Sequence, residues 1–132
     1  MIVDTSAIIA ILTAEPEQGL FVRTSVETGA EARMAAATFL ETALVVDGLG
    51  DPIKSRRLDG LIQALHIEIV DTTADHVRIA RAAYQDFGKG SGHPAQLNYG
   101  DCFSYALAVA TGEPLLFDGD DFSQTGLRSA LS

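Results

Sequence analysis

The chain has 132 residues, 47% of them apolar, and a formal net charge of −9 from 18 Asp and Glu against 9 Lys and Arg. This is the composition of one globular domain over 1–132, and it excludes a binder that holds nucleic acid mainly by neutralising phosphates, which needs a cationic surface. The single cysteine, Cys102, rules out an internal disulfide and a paired-cysteine zinc site and suits a reducing cytoplasm. The apolar start Met1 to Leu12 contains Asp4 and has no Lys or Arg before it, unlike a secretory signal. Glu41 interrupts the apolar run Met34 to Val46, which is also shorter than the ~20 residues that cross a bilayer. A soluble, cytoplasmic protein with no membrane partner is expected.

In chain order, Met1-Ile2-Val3 reads as a short buried strand, and Asp4-Thr5-Ser6 as the cap of a helix through Ala7 to Thr13. A second helix is predicted from near Pro16, with Leu20 and Phe21 apolar, until Gly29. A short strand fits around Met34. A helix follows from Ala36 to Leu49, ended by Gly48 and Gly50, and Asp51-Pro52 caps another with Leu58, Leu61, Ile62 and Leu65 at helical spacing. Ile67 to Val70 reads as a strand, Thr72 or Thr73 begins a helix to about Phe87, and Gly88 to Asn98 is irregular. Gly100-Asp101 opens a helix through Ala110 that Gly112 closes, and Pro114 to Phe117 is the last strand, followed by the acidic loop Asp118-Gly119-Asp120-Asp121. Short apolar strands alternating with helices predict an α/β fold, a parallel sheet of about four to five strands flanked by helices on both faces. Functional groups in such sheets collect beyond the carboxyl ends of the strands.

Four carboxylates stand out against this frame. Asp4 ends the first strand and Asp121 follows the last, so both lie at one sheet edge, although each taken alone suits a helix cap or a loop. Glu41 sits in a helix whose neighbours are otherwise apolar apart from Thr38 and Thr42. A carboxylate buried there must be protonated, paired or bound to metal. Asp101 occupies the first turn of a helix of small and apolar residues, where the dipole favours it. If the four converge, each pair near 4 Å repels by about 4 kcal/mol at an effective dielectric constant of 20. No Lys or Arg is adjacent in sequence to any of them. Oxygen ligands alone suit Mg²⁺ or Mn²⁺, and hydrolysis of a phosphodiester follows, with one cation activating water and a second stabilising the leaving oxygen.

Several blocks carry a family resemblance: Ile2-Val3-Asp4-Thr5-Ser6-Ala7, Phe39-Leu40-Glu41, Leu97 to Tyr105, and Gly112 to Phe117 with Asp121-Phe122. Together, in this order, they resemble VapC-type toxins of the PIN-domain ribonuclease family over nearly the whole chain. The resemblance implies a PIN fold, a Mg²⁺- or Mn²⁺-dependent endoribonuclease with an acidic two-metal-type site, homodimerisation, and a cognate antitoxin of the VapB type. It also implies that Asp4, Glu41, Asp101 and Asp121 are the catalytic, metal-holding cluster and that Ser6 supports it. Two positions depart from the family pattern: Asp118 stands where members often have Lys, and Gly126 follows Thr125 where they often have an acid. A PIN-like domain that binds RNA or a partner without catalysis is the alternative.

Other features read more simply. Gly88-Lys89-Gly90-Ser91 lacks the spacing of a phosphate loop and suits a mobile loop at the rim of an RNA groove. Asp4 as a covalent nucleophile of the haloacid-dehalogenase type would need an acid at Ser6. His66 and His93 are isolated, and Cys102 fits a small core residue. Lys54, Arg56, Arg57, Arg78 and Arg81 suit solvated faces, with phosphate contact the sharper alternative. The small residues of the two N-terminal helices fit a dimer seam or ordinary packing equally well.

Overall fold

A computed structural model of the chain describes residues 1–13, 24 and 31–131, so the helix expected from Pro16 to Gly29 lies outside the described residues. Within them the order is β1 (Ile2–Val3), α1 (Thr5–Leu12), β2 (Arg33–Ala35), α2 (Ala36–Asp47), α3 (Pro52–Ala64), β3 (Glu68–Val70), α4 (Ala74–Phe87), α5 (Tyr99–Thr111) and β4 (Leu115–Leu116). The strands form one parallel sheet in the order β3-β2-β1-β4, in the register Ile2 to Arg33 and Leu115, and Met34 to Ile69. The first strand is therefore central and its neighbour is the last.

Side chains alternate across a strand, and the two faces of the sheet accordingly carry two cores. Val3, Met34 and Leu116 pack with Ile8, Ile11, Val46 and Leu58 from α1, α2 and α3. Ile2, Ala35 and Leu115 pack with Leu97, Leu107 and Phe122 on the side of α4 and α5. The small residues of α1 belong to this packing, since Ala7 and Ala10 are fully buried. Among the described strands, cover is thinnest at the edge strand β3, where Glu68 and Ile69 are exposed. The Met1 ammonium donates to the Glu31 carbonyl at 2.8 Å and to Glu113 at 3.1 Å, and Arg33 also pairs with Glu113. That pairing ties β1 and β2 to the residues just before β4.

Helix ends fall where side chains can satisfy the free backbone groups. α1 starts at Thr5, earlier than the expected Ala7, because the Asp4 side chain accepts the Ser6 N–H. Asp51 caps α3 with Pro52 in its first turn, and Gly112 closes α5 in the left-handed conformation at φ 69°. The irregular stretch after α4 is closed at its base, where Lys89 N–H donates to Leu97 O and Leu97 N–H to Phe87 O. His93 is structural there: it packs edge-on against Phe87 and accepts the Ala95 N–H. Among the described residues no helix is long and apolar enough to cross a membrane.

Candidate active site

Asp4 ends β1 and is 3% exposed. One of its oxygens accepts the Ser6 N–H at 3.1 Å and the Ser6 hydroxyl at 2.6 Å, and the other accepts the Ser104 hydroxyl from α5. A hydroxyl has one proton to give. Ser104 spends its proton on Asp4 and so accepts from Thr38 on α2, 3.4 Å away. Ser6 likewise gives its proton to Asp4 and accepts the Asp118 N–H at 3.0 Å, so one hydroxyl joins the end of β1 to the loop that carries Asp121. Burial pushes the Asp4 carboxyl above its ordinary range, and the hydroxyls of Ser104 and Ser6, with the N–H groups of Ser6 and Thr5, work against that rise.

Asp101 is the third residue of α5 and half of a capping box. Its side chain accepts the Asn98 N–H at 3.0 Å, while Asn98 Oδ1 accepts the Asp101 N–H at 2.9 Å. The helix start and the site thus share one residue. Burial is the main cause that lifts the Asp101 carboxyl to about 7; the Asn98 N–H pulls it down, and the nearby charges of Asp4 and Asp121 push it further up. Asp121, exposed in the loop after β4, is therefore also part of this group. Cys102, next in the chain, has its thiol pushed up to about 11 by burial and by the Asp101 charge, which leaves it a core residue and not a thiolate.

Glu41 reaches the group from α2. It is half-buried rather than enclosed, and its Oε1 accepts the Thr5 hydroxyl at 2.7 Å. Its carboxylate lies directly over the backbone of Gly100, where a Cβ would overlap both carboxylate oxygens. That contact brings Glu41 to the first turn of α5, beside Asp101. The apolar residues around Glu41 in sequence are not a core face, since Leu40, Leu44 and Val45 are exposed. Only Thr38, Thr42 and Val46 of α2 are fully buried, with Phe39 and Ala43 packed against the core that contains Val46, so the helix turns a mixed face inward and leaves the apolar Leu40, Leu44 and Val45 outward.

Among the described residues the ion pairs are Met1 with Glu113, Arg33 with Glu113 and Arg78 with Asp75. None of them reaches Asp4, Glu41, Asp101 or Asp121. Among the described residues no three His, Cys, Asp or Glu side chains are placed to form a three-ligand metal site. Mg²⁺ does not require one, because it keeps several waters and takes one or two carboxylates. Crowded, uncompensated oxygens of this kind fit a hard divalent cation. The sequence reading missed Ser104, Thr38, Thr5 and Asn98. Ser104 stands three residues after Asp101 and Thr38 three before Glu41, so helical spacing alone places both beside a carboxylate. Thr5 has no such mark.

The fold and the sequence have known counterparts. The PIN domain family matches residues 1–127. Ribonuclease VapC28 of Mycobacterium tuberculosis is 50% identical over 131 residues, 99% of this chain and 98% of that protein. The crystal structure of VapC20 from M. tuberculosis, a toxin that cleaves the sarcin-ricin loop, shares the fold with a TM-score of 0.73 at 17% identity, over 96% of this chain and 95% of the other. A toxin-antitoxin complex from Klebsiella pneumoniae matches with a TM-score of 0.66 at 16% identity, over 95% of this chain and 92% of that one. The carboxylates gathered at the ends of β1 and β4 thus sit in a chain that belongs to the PIN-domain family and, within it, to the VapC ribonucleases, the toxins of toxin-antitoxin systems.

Proposed function

We propose that the chain hydrolyses phosphodiester bonds in exposed single-stranded RNA with a Mg²⁺ or Mn²⁺ held by Asp4 and Asp101, with Asp121 and Glu41 completing the acidic group. The observation that carries this reading is Asp101, whose buried carboxyl is raised further by the charges of both Asp4 and Asp121, with no ion pair to any of the three among the described residues. Bound there, the cation supplies positive charge for the phosphate and acidifies the attacking water. The rest belongs to the protein. Ser6 and Ser104 fix the two oxygens of Asp4, the Asn98 N–H orients Asp101, and Thr5 with Gly100 seats Glu41. Single-stranded loops suit this shallow edge because their bases are free to splay and their 2′-OH is available.

Purified protein is expected to cut susceptible RNA in Mg²⁺ or Mn²⁺ and to stop in EDTA, with the sites read by sequencing RNA 5′ ends. Full cleavage after exhaustive chelation overturns the metal reading. A parent that binds RNA without cutting it in either cation supports the non-catalytic alternative instead.

The same reading has the protein working in the cytoplasm as a homodimer, silenced by a VapB-type antitoxin that offers Arg or Lys to the carboxylates. The exposed apolar face of α2 supports pairing of two copies: Leu40 and Leu44 stand one turn apart, 58% and 64% exposed, a costly surface for a monomer. Leu44→Glu is expected to halve the mass seen by light scattering after gel filtration. A monomeric parent at micromolar concentration removes this seam.

A further inference from the structure

A groove of about 450 Å³ runs between α4 and the first turns of α5, a volume within the range that takes a small organic group. We propose that it is a nucleobase subsite, which receives one unstacked base of the RNA strand beside the scissile bond. This rests on the hydrolytic reading above and adds to it where the strand lies.

Three observations converge on the groove. The first is its aromatic lining, Tyr84, Tyr99 and Phe103. Tyr99 is 78% exposed, yet its ring is fixed edge-on to Phe103 at 5.0 Å between centroids. Tyr84 is also exposed, and its ring rests on the bare Cα of Gly88 while its hydroxyl donates to the Lys89 carbonyl. Rings held in place and left open are stacking platforms, which bind any base through its π-face.

The second is charge. In a chain of net charge −9 the lining contains Arg81 and Lys89 and no acidic residue. Neither cation makes an ion pair among the described residues, whereas Arg33 and Arg78 do. Two uncommitted cations beside aromatic rings match a nucleotide, whose base stacks while its phosphate takes the charge.

The third is continuity with the acidic group. Asn98 lines the groove and is also the capping partner of Asp101; Cys102, on the floor, is the residue after Asp101. The first turn of α5 is thus one wall of the groove and one side of the candidate active site. A strand whose phosphate lies at Asp101 passes Asn98 and lays its neighbouring base on Tyr99. A protein segment or a second copy would be served by the aromatic surface, but neither accounts for two free cations next to a phosphodiester site.

The test uses a short fluorescein-labelled single-stranded RNA spanning a mapped cleavage site, and the same RNA with an abasic nucleotide on either side of the cut bond. Steady-state cleavage in Mn²⁺ gives kcat and KM. Tyr99→Ala is expected to raise KM about 10-fold, the size of one lost base stack, while Tyr99→Phe behaves as the parent. The abasic RNA should cost the parent a similar factor and cost Tyr99→Ala nothing more. The Arg81→Ala, Lys89→Ala pair should raise KM and flatten its salt dependence. An unchanged KM in Tyr99→Ala, with the parent cutting normally, overturns the subsite and leaves the hydrolytic reading standing. The subsite falls equally if Tyr99→Ala changes only the oligomeric state, or if the abasic and Tyr99→Ala losses simply add. A parent that fails to cut the RNA in Mn²⁺ removes the hydrolytic reading, and the subsite with it.

Discussion

Asp101→Asn is expected to lower RNA cleavage by at least about 100-fold, since even partners of metal ligands are worth 10- to 100-fold. The fold should survive, because asparagine is nearly isosteric and its Oδ1 can still accept the Asn98 N–H that closes the capping box. Stability should even rise in metal-free buffer. The folded Asp101 carboxyl sits at about 7 against 3.8 for the free group. A carboxyl raised in this way contributes its full stability below pH ~4 and loses it as pH climbs through ~7. At pH 8 the parent carries the ionised, crowded carboxylate and the variant does not. The melting temperature of Asp101→Asn should then exceed the parent's by on the order of 5 °C, with the gap closing near pH 4, and saturating Mn²⁺ should raise the parent selectively. A variant that melts well below the parent at pH 8 would show that Asp101 serves the helix start more than the site.

Gly100→Ala should be the more revealing variant, because it alters no charged group. Gly100 is the second residue of α5, where alanine normally gains about 0.5–1 kcal/mol over glycine. The added methyl falls on the Glu41 carboxylate, the free end of a flexible side chain, which swings away and gives up its bond to Thr5. The gain and the loss offset, so thermal stability should stay within a few degrees. Cleavage should fall about 100-fold, the cost of displacing a positioned group, and Glu41→Gln should add little further loss in the Gly100→Ala background. Near-parental activity in Gly100→Ala would remove Glu41 from the site.

The sequence made the sheet legible at β1 and β4, which are short apolar runs followed by an acid. The pattern Ile2-Val3-Asp4 at one end of the chain, and Leu115-Leu116 with Asp121 at the other, already requires a common edge once the sheet is parallel. Asn98 and Asp101 could have been paired from their spacing of three. Glu41 was harder, since its surroundings in sequence look like core: Leu40, Leu44 and Val45 are apolar yet exposed, and the residues that touch the carboxylate are Thr5 and Gly100, far off in the chain. Hydropathy reports that a residue avoids water and not which surface covers it. The groove beside α5 was unreadable for a related reason. Tyr84 and Lys89 reach it from one side and Tyr99 and Phe103 from the other, and only the packing of α4 on α5 brings those pairs together.

β1 comes first among the described strands but lies inside the sheet, and one of its two neighbours, β4, comes last. Asp4 meets Ser104 across 100 residues, and Ser6 meets the Asp118 N–H across 112. The acidic edge is therefore assembled from both ends of the described fold, and without β4 it lacks Asp121 and the contact to Asp118. Closure of that edge is a long-range event: a chain cut back before β4 keeps Asp4 and Glu41 but lacks both the strand beside β1 and the bond that joins the Ser6 hydroxyl to the Asp118 N–H.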